Sequence, residues 1–546
     1  MKRDSGKAFV SVLLACAVQL CLVACGNPGG KGDGSDSQTS GNVKEEEGSS
    51  GEETGKEPVT QTITISTIDH EAGNANVGDY AEEIRNRIEE YTGVNIEISW
   101  VANDVLEEKN SLYLTDPKTM PQIITWGSTM TGNVVAAAKS GAFVDLNDYI
   151  WDSEKYPNLS AMSRDVAGNL TIDGKLIAVP RTRVIGRYGL SYRTDWFEAL
   201  QEEWELEEPD TPEAVYKMLY AFTYGDPDGN GVDDTIGMEM TLYTGPFDII
   251  QTWFGCGNGW AEVDGRLVPV WMQEEYWDAV DYIKKLYDDG LMPKDWASRP
   301  TDTWSDGCKT GKNGVFIDVL DSGKRIWQYY LADGTYTASV TDPGKAASMT
   351  LHGAVNGHTL ATSGYAGYFT LSASTLDTPK KIEAALTFLD KLNDPEMLIL
   401  TQYGLEGIHY EINEEGYLVD LDVEDKVLGA NYTGLNQMLA YLPSMEVCNE
   451  LIPLEQDEPT KVLNQAYADN LPYAIVNPAL SYLVNSAAYS DDGAALDTQI
   501  AAARTQYICG AITREQFEAE LQKARDTGYD QIIEEVNAQY QANQEK

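Results

Sequence analysis

The chain has 546 residues, with 39 Lys and Arg against 87 Asp and Glu, for a formal net charge of −48. That balance excludes a nucleic-acid surface, which needs a basic footprint, and argues against a polyanionic ligand as the default. The acidic excess reads as a solvated, self-repelling surface, and the length is enough for two domains or lobes.

The N-terminus carries Lys2, Arg3 and Lys7, then an apolar run from Ala8 to Ala24 that ends in small residues. A basic head, a short apolar segment and a small-residue cleavage region form a secretion signal, residues 1–25. Leu22-Val23-Ala24-Cys25 resembles a bacterial lipobox, which makes Cys25 the lipidated first residue of the mature chain. A transmembrane anchor is the rival reading; both put the rest of the chain outside the cytoplasm. Residues 26–59 are Gly, Ser, Lys and Glu with almost nothing to bury, and read as a flexible tether.

Gln61 to Ile68 alternates Thr and Ile as a half-buried strand. Asp79 and Glu82 form a capping box for a helix whose stripe is Tyr80, Ile84, Ile88 and Tyr91. Val94–Val101 and Pro121–Trp126 are again strand-like, so the order β-α-β argues for parallel strands in an α/β sheet. Thr211-Pro212 opens a helix with Val215, Met218, Leu219 and Phe222 inward. A further helix carries Tyr276, Val280, Ile283 and Tyr287 and stops at Gly290, and Gly314–Leu320 reads as a buried strand. Thr378-Pro379 caps a helix with Ile382, Ala385, Leu386 and Leu389 inward. At the C-terminus Thr513 caps with Gln516, Ile512 staples onto Phe517, and Gly528 ends that helix before Ile532–Tyr540 resumes.

The segment Gly225–Gly237, GDPDGNGVDDTIG, fits a calcium loop. Asp226, Asp228 and Asn230 take positions one, three and five, Gly231 the sharp turn, Val232 the carbonyl position and Asp234 position nine. Gly237 stands where a bidentate acid would complete a sensor loop, so the expectation is a static, structural calcium, with an ion-free acidic turn as the rival. No nucleophile elbow, zincin helix or phosphate loop occurs, and no carboxylate pair is singled out. Cys256, Cys308, Cys448 and Cys509 are too widely spaced for a zinc site; two disulfides and free thiols both stay open. Only His352 and His358 come near ligand spacing.

Twelve Trp and 31 Tyr against 10 Phe favour rings with a polar handle, which suit half-wet sugar-stacking sites. Trp126, Trp253, Trp260 and Trp304 fall at presumed strand ends or loops.

Several stretches together resemble the extracellular solute-binding lipoproteins, family 1, of carbohydrate ABC importers, in the branch of alginate-oligosaccharide binders. They are GKLIAVP at 174–180, LSYRTDWFEAL at 190–200, TPEAVYKMLYAF with DPDGNGVDDTIG behind it, FGCGNGW at 254–260, IKKLYDDGLM at 283–292, YGLEGIHY at 403–410 and the C-terminal YICGAITREQFEAELQKARDTGYDQIIEEVNAQYQ. The resemblance implies an α/β, two-lobed periplasmic-binding-protein-like fold (type II) with a hinge between lobes and a helical C-terminal region. It assigns 60–183 and 345–430 to one lobe, and 184–344 and 431–546 to the other. It also implies a calcium loop away from the cleft, with Thr235 here in place of the family's usual Glu, and Gln122 in place of its Asp. The function implied is a lipid-anchored monomer on the outer face of a Gram-positive membrane that hands an oligosaccharide to permease subunits. Trp126, Arg193, Trp260 and Tyr368 are the expected cleft residues. The alternative is a secreted, calcium-containing carbohydrate-active enzyme.

Overall fold

The computed structural model describes residues 61–69, 80–127, 130–421, 434–440 and 456–544. The signal, Cys25, the tether, Asp79 and Cys448 lie outside the described residues.

Two sheets carry the fold. In chain order their strands are β1 (Thr62–Asp69), β2 (Asn95–Ala102), β3 (Ile123–Trp126), β4 (Ala178–Thr182), β5 (Tyr188–Arg193), β6 (Ile236–Met238), β7 (Asn313–Val319), β8 (Met349–Gly353) and β9 (Tyr365–Leu371). The first sheet has the order β2-β1-β3-β9-β4 and the second β8-β5-β7-β6. β1 runs parallel to β2 through eight residue pairs, Thr62 with Asn95 to Asp69 with Ala102, and parallel to β3. β9 is antiparallel to both β3 and β4. In the second sheet β5 is antiparallel to β7 and β8, while β7 and β6 are parallel. Helices cover both faces, so the inner strands bury nearly every side chain instead of alternating.

The helices used below are α1 (Ala81–Thr92), α2 (Pro212–Tyr224), α3 (Gly245–Trp253), α4 (Glu275–Asp288), α5 (Leu320–Leu331), α6 (Pro379–Lys391), α7 (Glu458–Asn470), α8 (Ala494–Ile508), α9 (Arg514–Ala524) and α10 (Asp530–Gln544). Their caps follow local chemistry. Thr211 Oγ1 accepts from the Ala214 N–H at 3.2 Å with Pro212 in the first turn, and Val215, Met218, Leu219 and Phe222 are fully buried. Thr513 and Gln516 make both halves of a capping box at 3.3 and 2.8 Å, over a fully buried Phe517. Gly528 leaves helical geometry in a wide turn between α9 and α10, as its place in the sequence anticipates.

Each sheet has its own core. Ile65, Ile84, Ile88 and Ile124 belong to the first, and Leu219, Phe222, Val280 and Ile283 to the second. Two lobe boundaries differ from the sequence expectation. β8 pairs with β5 in the second sheet, so the return passage falls after Gly353 and not at 345. Residues 435–440 pack in the first core, and Ala440 accepts from Thr182 N–H, so the first lobe includes 435–440 and does not end at 430. Strand pairing decides the first and core packing the second, and neither is visible to local pattern.

The passages 183–187 and 354–364 run side by side. The Arg183 N–H donates to Gly364 O at 2.9 Å, and the Thr362 N–H to Ile185 O at 3.0 Å. Asn470 at the end of α7 ties them to the second lobe, donating to the carbonyls of Gly186 and Tyr188 at 2.9 and 2.7 Å. Beside them β5 and β8 approach so closely that a Cβ on Gly189 would stand 2.6 Å from Gly353 Cα. Backbone cannot yield as a flexible side chain does, so Gly189→Ala should cost about 1–3 kcal/mol. Urea unfolding, with Gly168→Ala in open space as the control, reads this directly.

Candidate functional site

In α/β sheets ligands bind outside the carboxyl ends of the strands, at the switch in strand order. In the first sheet that switch lies between β1 and β3, whose last residues are Asp69 and Trp126. In the second sheet Tyr188, the first residue of β5, pairs with Val319, the last of β7. The functional edge of the second lobe is therefore set by Arg187, Tyr188, Asp318 and the first turn of α5.

That edge is a polar ridge. Asp321 accepts two hydrogen bonds from the Arg187 guanidinium, both at 2.9 Å, one from Arg325 at 2.8 Å and one from the Tyr467 hydroxyl at 3.1 Å. Burial alone would raise its pKa, but hydrogen bonds and charge from Arg187, with Arg325 and Tyr467, hold it below the usual carboxylate range. Asp318 is pushed up to about 6 by burial, against the opposing pull of the Val319 N–H and Arg187. Burial, then the Asp318 charge, raises the hydroxyls of Tyr188 and Tyr243, which stay protonated donors throughout the neutral range.

On the α3 side of the ridge a cavity of about 340 Å³ opens between α3, α8, the α9–α10 turn and the passage residue Leu360. Trp260 lies on one wall, its ring 28° from parallel with Tyr529 at 6.2 Å, and Trp271 meets Tyr529 edge-on at 5.1 Å. Two donors lining it have no partner among the described residues: Gln251 Nε2 and Arg504 Nε, on residues 2% and 7% exposed. Arg504 is fixed by Asp248 at 2.6 Å, and Asn258 ties the cavity to the passage by donating to Ala361 O and Ile475 O, both at 2.9 Å. Buried unpaired donors are costly unless a ligand or water satisfies them.

Of the four expected cleft residues, only Trp260 lines a cavity of this kind. Trp126 and Tyr368 are fully buried in the first core, paired across β3 and β9, stacked at 5.9 Å and 15°, with Trp126 Nε1 donating to Thr370 Oγ1 at 2.9 Å. They pack and offer no ring face. Arg193 is also corrected: it is buried at the far end of β5, bound twice to Asp195 at 2.8 Å. Five residues of strand place it about 16 Å from Tyr188. Gln251, Arg504, Arg187 and Asp321 went unnoticed in the sequence because no local motif marks them. Cys256, Cys308 and Cys509 are free thiols, Cys256 pushed up to about 12 by burial.

The loop at 226–234 has the turns of a metal loop, with positive φ at Asp226, Gly229 and Gly231. Asp226 Oδ2 accepts from the Gly231 N–H at 2.9 Å and Asn230 Oδ1 from the Val232 N–H at 2.7 Å. Burial and the neighbouring Asp226 carboxyl raise the pKa of Asp228, the like-charge contact that a cation relieves. The Asn230 amide donates to Asp228 and Asp234, Lys312 pairs with Asp234, and the Thr235 hydroxyl is spent on Phe222 O. Among the described residues no three His, Cys, Asp or Glu side chains converge as a metal cluster. By sequence position the loop carries five candidate oxygen donors, fewer than the six to eight that calcium takes.

No family model matches the chain. It is 33% identical over 468 residues to lipoprotein LipO of Bacillus subtilis, covering 84% of this chain and 88% of that protein. The chain belongs to the solute-binding lipoproteins of carbohydrate ABC importers. This solute-binding protein is also 29% identical over 450 residues to the polygalacturonan/rhamnogalacturonan-binding protein YtcQ of B. subtilis, covering 82% and 86%. In fold it matches an HMO-binding ABC-transporter-associated solute-binding protein of Bifidobacterium longum infantis, with TM-score 0.62, 17% identity, and coverage of 88% and 98%. It also matches an EF-hand mutant of the S. pneumoniae substrate-binding protein FusA in complex with fructo-nystose, with TM-score 0.57, 17% identity, and coverage of 88% and 99%. These are binding proteins, so the enzyme alternative is set aside.

Asp318 gives the edge a pH signature. Its folded pKa lies above the unfolded value, so the wild type loses stability as pH rises through about 6. Asp318→Asn removes that loss. The variant should match the wild type near pH 4 and exceed it at pH 8 by up to about 3 kcal/mol, read by urea unfolding at both values.

Proposed function

We propose that this solute-binding protein captures an oligosaccharide between its lobes and delivers it to the permease subunits of an ABC importer. The observation that carries this reading is the cavity beside the passages, whose wall holds the largely buried rings of Trp260, Trp271 and Tyr529 with two buried donors that have no partner among the described residues. Sugars present a C–H face for stacking and hydroxyls for such donors, and few other solutes do both. A ligand touching both lobes favours the state in which they close on it, and a permease that reads that state is supplied only when cargo is aboard. Lipidation at Cys25, residence on the outer face of a Gram-positive membrane and a monomeric state complete the reading; the naming of LipO as a lipoprotein supports the first.

Calorimetry against a panel of oligosaccharides tests it. At least one should bind, and Trp260→Ala should weaken that ligand by roughly tenfold or more, about 1.4 kcal/mol. A panel in which nothing binds or raises the melting temperature would overturn the reading.

We also propose that the loop Asp226–Asp234 takes a structural calcium through Asp226, Asp228, Asn230, the Val232 carbonyl and Asp234, with water filling the remaining positions. FusA, whose solved form is called an EF-hand mutant, supports it. With Thr235 and Gly237 contributing no carboxylate, the site should be weak. Millimolar calcium should raise the melting temperature and a chelator reverse it, since a ligand of the native state alone stabilises by mass action. Asp226→Asn, mild at a positive φ that asparagine tolerates, should abolish the calcium response.

A further inference from the structure

The two lobes touch in a second place, away from the passages. Residues 474–490 form a strap that starts on the passage 354–364, where Ala474 and Ile475 pair in parallel with Thr359 and Leu360. The strap is anchored on the second lobe. Leu483 is buried in the second core, and the Glu535 carboxylate of α10 accepts from the Ser486 hydroxyl and the Ala488 N–H at 2.8 and 3.0 Å. Its other side reaches the first lobe. Val484 packs against the first core, the Asn485 amide donates to Thr171 O at 3.1 Å, and its carbonyl accepts from the Asp173 N–H at 3.2 Å. Thr171 and Asp173 belong to a hairpin, Thr171–Ile172 with Lys175–Leu176, whose Ile172 and Leu176 are buried in the first core. Farther along, a Cβ on Gly132 would stand 3.2 Å from Ser490 O and closer still to its hydroxyl. Gly132 opens the helix that follows β3, so Ser490 meets the first lobe at its binding edge.

The same strap walls the cavity that holds Trp260. Asn477, Leu483 and Tyr489 line it. The Tyr489 hydroxyl donates to one oxygen of Asp497 at 3.0 Å, and the Tyr529 hydroxyl to the other at 2.8 Å. Tyr529 is the ring that meets Trp260 and Trp271, so a short chain of contacts runs from the cavity rings through Asp497 to the strap.

We infer that the strap 474–490 couples occupancy of this cavity to closure of the lobes, with Asn485 as the positioning residue that holds the closed arrangement. This rests on the oligosaccharide reading above and adds how the loaded state is held. Three features carry it. The contacts lie off the passages, so a rotation that parts the lobes there breaks both Asn485 bonds, which therefore stabilise only the arrangement in which the lobes meet. The Asn485 amide is fixed for that role, since it also donates to Ser481 O at 2.9 Å within the strap. Last, a crevice of about 730 Å³ lined by Thr171, Asp173, Ser481 and Asn485 lies open beside the bonds, where water can replace either partner. Bonds that exchange with water are individually modest, so they bias closure without locking it. Affinity falls by the fraction of molecules in the competent state, so a contact that favours closure raises it for every cargo alike.

Small-angle scattering of the ligand-free protein, with calorimetry on the oligosaccharide panel, tests this in two variants. Asn485→Ala removes the bonds from the second lobe, and Gly132→Val wedges the first lobe against Ser490. Each should show a larger radius of gyration than the wild type, a similar melting temperature, and a Kd raised about three- to tenfold by the same factor for every sugar that binds. If one variant melts far below the wild type, the other decides. Radii and affinities equal to those of the wild type would overturn the coupling and leave the oligosaccharide reading standing. A loss confined to some sugars would place Asn485 against cargo and overturn its positioning role. If no sugar binds the wild type, the oligosaccharide reading fails, and the scattering alone then decides whether the strap holds the lobes together.

Discussion

The fork of Arg187 on Asp321 is the interaction on which the second lobe's edge depends. Arg187 belongs to the passage between lobes, Asp321 to the first turn of α5, and Tyr467, which binds the same carboxylate, to α7. One carboxylate thus joins three segments far apart in the chain. Desolvating such a pair costs nearly as much as its attraction returns, so its worth lies less in stability than in geometry. Removing either partner would leave a charge stranded in a partly buried place, and that penalty holds the passage in one arrangement. Tyr188 and Asp318 inherit their positions from it.

The second sheet then divides the lobe's surface by chemistry. On the α3 side aromatic rings line a cavity with the Gln251 and Arg504 donors; on the α5 side Arg187, Lys324 and Arg325 stand close to the carboxylates Asp318, Asp321 and Asp457. Both adjoin one ridge of tyrosine hydroxyls and a carboxylate.

Local physics made much of this fold legible. Thr211 with Pro212, Thr513 with Gln516, and the stripe Val215, Met218, Leu219 and Phe222 are settled by residues within one or two turns, and each appears as the pattern anticipates. The aromatic residues misled for a physical reason. A polar handle suits a wet site, yet Trp126, Trp196, Trp253 and Trp296 are all fully buried, and three of those indole N–H groups lack a partner among the described residues. The apolar area of the ring outweighs its one donor. Arg193 was misread although its partner Asp195 stands two residues on, a local signal that was there to use. The site itself was scarcely legible: Arg504 meets Asp248, and Asn258 meets Ile475, across more than two hundred residues. Lobe membership of 345–353 and 435–440 was hidden likewise, because the strand partner of the first and the core contact of the second lie far away in sequence.

The side-by-side passages have a mechanical consequence. Two hydrogen-bonded segments lying together define a line, and the closure proposed above would turn one lobe on the other close to that line. Displacement grows with distance from the axis, so groups on the passages sit on a short lever arm and those at the outer rim on a long one. Arg183 and Arg187, on the passage itself, would move least in such a closure. Whatever they hold is gripped alike in open and closed states and cannot bias the choice between them. The work of closing falls to contacts made farther out, so grip and trigger are mechanically separate.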